Sequence, residues 1–432
     1  MTLAEVILWG TKIGVVMFDD STGLGSFEYD KEFLKSGIEV SPIVMPLSTQ
    51  VYTFPELSDR TFHGLPGLLS DSLPDKFGNA VINSWLERQG RTPESFNPVE
   101  RLCYTGTRGM GALEYVPALG PNPDTSEIID VDRLVRLASD ILTSRKSIHL
   151  SEDARAMQEI LRVGTSAGGA RAKAVIAWNE NTGEIRSGQV ETDEGFDYWI
   201  IKFDGVTNNG DKEGPDKEEY TKTEFAYYLM ARDAGIVMKE CRIYDENGRS
   251  HFMTRRFDRD DLTGDKIHSQ TLGAIAHYDY NVPGICSYER AAQVMRQLKI
   301  SDKEISQFYK RMVFNILARN QDDHVKNISF LMDRNGKWSL SPAYDVTYAY
   351  NPGGMWTGSH QMLINGKRDD ITYEDLITSA KSMGLKKNDA EQIVFEVREI
   401  VAKWEKYAET ASLSAEKTEL IARQLLPKET SP

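Results

Sequence analysis

The sequence predicts an α+β protein, and three observations carry that prediction. Two short apolar runs, residues 4–9 and 12–18, flank Gly10-Thr11 with hairpin spacing. Strand-like and helix-like segments alternate between about residues 160 and 260. Beyond residue 300, amphipathic stretches at 302–319, about 373–384, 387–409 and 413–426 make the end of the chain helical.

In chain order, the opening hairpin begins a small β-rich region. The segment GLPGLLSDSLPDKFGNAVINSWLERQG then carries Phe77, Val81, Ile82, Trp85 and Leu86 at helical spacing, with Asp75 placed to cap the helix. TGTRGMGALEYVPAL reads as a glycine-studded turn feeding a strand, and PNPDTSEIIDVDRLVRLASDIL as a linker entering a helix. Residues 162–190 read as loop, strand, turn at Asn179–Gly183, and strand. FDYWIIKFDG is a dense apolar strand, and KTEFAYYLMARDAGI a helix with Phe225, Leu229, Met230 and Ala234 near helical spacing. Asn247-Gly248 turns a further hairpin.

Composition limits the function. The chain has 432 residues, 51 Lys+Arg and 65 Asp+Glu, a net charge of −14 that argues against a large nucleic-acid footprint of its own. With 40% hydrophobic residues it is ordinary globular material, not a disordered chain. Cys103, Cys241 and Cys286 are too scattered for a disulfide scaffold or zinc site, which implies a reducing, cytoplasmic setting. The first residues lack the basic lead of a secretory signal, and no apolar run is long enough to span a membrane.

The chemistry concentrates in residues 315–350. A helix end gives way to a polar loop, a hairpin turned at Asn335-Gly336, and then Asp345. Asp322 and Asn327 stand five positions apart, and Asp345 follows 18 residues after Asn327. This is the layout of a kinase catalytic loop: an Asp for the attacking hydroxyl, an Asn and a second Asp for Mg²⁺ on the nucleotide phosphates. For the Asp322–Asn327 spacing alone, a polar loop with capping Asp and Asn residues is the better explanation; the hairpin and the terminal Asp345 bring the two readings level. Lys202 adds weight as a lone charge in the strand YWIIKF, where it either meets a partner or snorkels to water. Glu224 opens a later helix, placed to steady that lysine or simply to favour the helix dipole. The loop 163–173 contains Gly168-Gly169, which let backbone amides approach phosphate oxygens, with Arg171 and Lys173 adding charge; a plain surface turn also fits. Phe257 in FMTRRFDRD offers an apolar face for adenine, or a core contact.

Taken together, SDSLPDKFGN, GTRGMGAL, GGARAK, the IIK strand, RFDR, DDHVKN and PAYD resemble the HipA-type serine/threonine kinases, the toxins of bacterial HipBA toxin–antitoxin pairs. The resemblance implies a divergent two-lobed protein-kinase-like fold, with an N-terminal β-rich subdomain (1–120), the rest of the N-lobe (121–257) and an all-helical C-terminal lobe (258–432). It implies ATP and Mg²⁺ as cofactors. Asp322 would be catalytic, Asn327 and Asp345 the Mg²⁺ ligands, and His324, Lys326 and Tyr344 neighbours of the nucleotide. Lys202 would hold the phosphates under a loop of Gly168, Gly169, Ala170, Arg171, Ala172 and Lys173, with Arg255, Arg256 and Phe257 as the adenine hinge. Ser166, with Thr165 beside it, would be the autophosphorylation site that silences the enzyme. The implied substrate is an aminoacyl-tRNA synthetase such as the glutamyl enzyme, whose modification stops growth. The implied partner is a dimeric HipB-type helix-turn-helix antitoxin that brings the pair to operator DNA. A small-molecule or lipid kinase and a catalytically silent co-repressor are the competing readings. Arg255 and Asp323 depart from the usual family pattern, where Glu and Gly are often found.

Overall fold

The computed structural model describes residues 1–120, 129–143, 171–189, 192–206 and 219–431. The chain forms two compact units: Met1–Glu218 with Arg242–Gln270 and Met332–Gly336, and Glu219–Cys241 with Thr271–Leu331 and Lys337–Pro432.

The first unit holds two antiparallel sheets. The opening apolar runs become β1 (Thr2–Leu8) and β2 (Thr11–Asp19), which β3 (Leu24–Tyr29) and β4 (Leu113–Val116) extend to the order β3-β2-β1-β4. Gly10 turns the hairpin at φ +78°, a conformation that costs glycine nothing. The second sheet is built from β5 (Lys173–Trp178), β6 (Ile185–Ser187), β7 (Asp197–Lys202), β8 (Cys241–Glu246) and β9 (Arg249–Arg255), in the order β6-β5-β7-β9-β8. As expected, Asn247 and Gly248, both at positive φ, join β8 to β9.

The expected helix is present at Lys76–Arg88, with the Asp75 side chain accepting from the Gly78 amide at 2.6 Å. Its Phe77, Val81, Ile82 and Leu86 enter one core with Leu134, Val135 and Ala138 of the helix Val131–Thr143, and with Ala174, Ile176, Trp199, Ile201 and Met253 of the second sheet. One core thus contains residues from both sides of position 120.

The second unit is mainly helical. The helix Asp302–Leu317 starts with a capping box in which Ser301 and Glu304 satisfy each other's amides. Glu304 Oε1 also accepts the Leu340 amide at 2.9 Å, tying the helix start to a hairpin of strands Ser329–Met332 and Trp338–Leu340. The helix expected in KTEFAYYLMARDAGI is present, and one other helical reading needs correction. On Tyr220–Asp233 the buried side chains include Thr223, Glu224, Tyr227, Met230 and Ala231, whereas Phe225 and Leu229 are only half-buried. The stretch 387–409 is two helices, Lys387–Val401 and Trp404–Thr410. The break turns Trp404 inward to 1% exposure, where its Nε1 donates to the Thr418 carbonyl at 3.0 Å. Among the described residues, no helix is long and apolar enough to cross a membrane.

Candidate active site

In the second unit the helix Asp302–Leu317 delivers the chain into the polar loop. Asn320 is pinned back to that helix through its amide to the Asn315 carbonyl and its Nδ2 to Asn315 Oδ1, both at 2.9 Å. A short 3-10 turn over Val325–Asn327 follows, with His324 Nδ1 accepting the Lys326 amide at 3.2 Å. That acceptor role leaves the proton of a neutral His324 on Nε2, which lies 3.8 Å from Asp322 Oδ1. Asn327 Nδ2 donates to the Asp322 carbonyl at 2.8 Å, so the loop folds back on itself across the five-residue spacing. With its amide nitrogen so committed, the side-chain group Asn327 can present to a ligand is an oxygen.

Beyond the hairpin, Tyr344 Oη donates to the Lys326 carbonyl at 2.7 Å and contacts Ser329 Oγ. Asp345 takes φ +52°, the left-handed region that Asp tolerates better than most side chains. Asn327, Tyr344 and Asp345 line one cavity of about 30 Å³ with Arg311, Asn320 and Asp323. The loop–hairpin spacing seen in the sequence therefore does bring its Asn and its second Asp together.

Asp322 and Asp323 have opposite settings. The Asp322 side chain is 28% exposed, and its Oδ1 accepts Trp356 Nε1–H at 2.7 Å. Asp323 is buried; it accepts Tyr288 Oη–H at 2.8 Å, His360 Nδ1–H at 3.0 Å and the Gln361 amide at 2.7 Å. Burial pushes the Asp323 carboxyl up, but His360 and these donors outweigh it and hold its pKa below the usual range. The extra carboxylate of the DDH motif is thus a buried anchor for the chain around residue 360. Tyr288, Trp356, His360 and Gln361 were missed in the sequence because they lie some 30 or more positions from the aspartates. The available hint was a lone Trp in the glycine-rich run NPGGMWTGS.

In the first unit, Lys202 ends β7 on the face opposite Trp199 and Ile201, as the two-residue period of a strand requires. Lys173 stands directly across from it on β5. Both are buried; Lys173 Nζ lies 3.7 Å from Asp75 Oδ2, and Lys202 Nζ 5.7 Å from the Phe252 ring centre. Like charges in directly opposed positions are unfavourable unless anionic groups attend them. Ala172 is buried and Arg171 half-buried, while Ser166, Gly168, Gly169 and Ala170 lie outside the described residues.

The RRFDR element behaves differently from an open hinge. The Arg256 guanidinium is buried, donating from Nε and Nη2 to the two oxygens of Asp258 at 2.8 and 2.7 Å and from Nη1 to the Gly188 carbonyl. Its amide donates to the Tyr198 carbonyl at 2.9 Å. Arg255 pairs with Asp197 and Asp261. Of this trio Phe257 is a half-buried ring. The Arg256 side chain is therefore committed to structure, because a buried guanidinium needs a carboxylate and finds one two residues away. Glu224 is buried in the second unit.

A model described as HipA-like C-terminal domain matches residues 165–404, and one described as HipA N-terminal domain matches residues 4–116. The chain belongs to the HipA family. A solved Shewanella oneidensis MR-1 toxin–antitoxin complex of HipA, HipB and its operator DNA contains a chain that matches at a TM-score of 0.66, covering 98% of this chain and 94% of that one at 18% identity. At that identity the likeness speaks for the fold, an α+β fold of the HipA type. The Sinorhizobium fredii protein named "Putative kinase Y4mE" is 26% identical over 373 residues, 81% of this chain and 79% of its own length. Two further relatives match over shorter stretches: Y4dM of S. fredii is 26% identical over 162 residues, and a Haemophilus influenzae protein named as a kinase in the same terms is 28% identical over 167. Each match covers 34% of this chain, and the chain spans 36% and 48% of the lengths of those two relatives.

Proposed function

We propose that this HipA-family chain is an ATP-dependent serine/threonine protein kinase, with Asp322 serving the attacking hydroxyl. The observation that carries the reading is the shared cavity of Asn327, Tyr344 and Asp345 beside the Asp322 loop. An amide oxygen and a carboxylate are hard donors that suit Mg²⁺, which keeps its remaining positions for water and phosphate oxygens. Among the described residues no cluster of three or more His, Cys, Asp or Glu offers an all-protein metal cage, so a two-ligand cation completed by the nucleotide fits the donor set. Bound there, Mg²⁺ would neutralise charge on the phosphates. Asn327 and Asp345 would hold it, and Lys202, by the family pattern, would hold the phosphates.

The finer reading follows the family. His324, Lys326 and Tyr344 would lie beside the nucleotide, with residues 168–173 as the phosphate loop and the main chain at 255–257 and Phe257 as the adenine contact. Autophosphorylation at Ser166 or Thr165 would silence the enzyme. An aminoacyl-tRNA synthetase such as the glutamyl enzyme would be the substrate. The solved relative assembles with HipB and operator DNA, and a HipB-type antitoxin is the partner proposed here, carrying most of the contact to DNA.

The test is γ-labelled ATP with Mg²⁺ and the purified chain, followed by mapping of the label. Label at Ser166 or Thr165 in the wild type, and none in Asp322→Asn, is the expected result. Unchanged labelling in Asp322→Asn would overturn the kinase reading. Label confined to residues outside 163–173 would overturn the self-silencing part.

A further inference from the structure

Residues 351–359, NPGGMWTGS, follow Asp345 and have no part in the reading above. Within them Met355 is 98% exposed, while Trp356 turns the other way and donates its indole Nε1–H to Asp322 Oδ1 at 2.7 Å. The tryptophan is held from behind. Gln361 Nε2 donates to the carbonyl oxygens of Trp356 and Ser359, and the Gln361 amide donates to Asp323 Oδ1 at 2.7 Å. Asp322 and Asp323 are chain neighbours, so these contacts close a ring from 322 to 356, to 361, to 323 and back through one peptide bond. Its fixed point is the buried Asp323, held by Tyr288 and His360. The Trp356 ring also lies 6.2 Å from the His324 ring.

We infer that Trp356 is a positioning residue for Asp322, setting the angle at which the carboxylate meets the substrate hydroxyl; this rests on the kinase reading. The terminal torsion of an aspartate is broad and roughly two-fold, so the carboxylate plane is poorly fixed without a partner. A hydrogen bond to Oδ1 selects one orientation and thereby the direction of Oδ2. Phosphoryl transfer depends heavily on such alignment, because the protein contributes position and charge and little covalent chemistry. Asp323 acts one step further back: it holds Gln361, and Gln361 holds the main chain of Trp356.

Trp356→Phe keeps an aromatic ring and removes the N–H. Expected is a fall of about 10- to 100-fold in the single-turnover rate constant for self-labelling at saturating γ-labelled ATP and Mg²⁺, with the ATP concentration at half-maximal rate and the melting temperature unchanged. Trp356→His, which keeps a ring N–H, recovers part of the loss. A second readout needs no activity. The ¹⁵N-indole resonance absent from the Trp356→Phe spectrum of the full chain is expected to move upfield in Asp322→Ala, because its acceptor is gone. A wild-type labelling rate constant in Trp356→Phe, or an indole resonance left in place by Asp322→Ala, overturns the inference. Wild-type turnover in Asp322→Asn overturns the kinase reading instead, and the indole resonance still decides whether the hydrogen bond exists.

Discussion

At the scale of single residues, Asp345 and His268 give the sharpest expectations. Asp345 stands at φ +52°, where Asn is also well tolerated but Ala is not. Asp345→Asn should therefore keep the fold and remove the negative charge proposed for the cation. Label transfer from ATP should fall by about 100-fold or more, with a melting temperature close to wild type; transfer within a few-fold of wild type would remove Asp345 from the metal site. His268 is buried, and burial pushes its imidazole down to about 4. An unfolded histidine titrates near 6.5, so between these values the unfolded chain binds more protons than the folded one. The contribution to stability is complete above about pH 6.5 and is lost as the pH falls toward 4, about 3 kcal/mol in all. Urea unfolding across that range should show the decline, and His268→Gln should flatten it.

At the scale of elements, the capping box of the helix Asp302–Leu317 has a graded prediction. Ser301→Ala removes one cap and should cost about 1 kcal/mol. Glu304→Ala removes the reciprocal cap and the acceptor of the Leu340 amide together, so it should cost more, about 2 kcal/mol, by denaturant unfolding. Elements of this kind were readable in the sequence because their causes are local. Asp75 before an apolar period gave the helix Lys76–Arg88, and Asn247-Gly248 gave the β8–β9 turn. The loop from Asp322 to Asp345 was readable for the same reason, since spacing and turn chemistry place Asn327 and Asp345. Tertiary causes were not readable. No proline or glycine marks the break at Ala402-Lys403; it follows from the burial of Trp404. Nothing in RRFDR shows that Arg256 folds onto Asp258, nor does DDH show that its second aspartate is met by Tyr288 and His360.

At the scale of the whole molecule, net charge governs encounters with other polyanions. At −14, the isolated chain should bind duplex DNA weakly at physiological salt, because few phosphates can be neutralised without a basic face. Tight operator binding should appear on addition of a basic antitoxin. Nanomolar binding by the isolated chain in a gel-shift titration would contradict this. The core of the first unit is likewise a property of the whole. Phe77 is fully buried where helix and sheet meet, so Phe77→Ala should cost about 3–5 kcal/mol.

That same core dictates how the chain can be cut. A fragment ending near residue 116, where the N-terminal family match stops, would keep the helix Lys76–Arg88 but lose Leu134, Ile176, Trp199 and Ile201, against which Phe77, Val81 and Leu86 pack. Its apolar stripe would face water, and such patches drive self-association. Expressed alone, residues 1–116 should collect in inclusion bodies or elute as aggregates. Co-expression with the remainder of the chain as a separate polypeptide should return them to solution as a non-covalent complex.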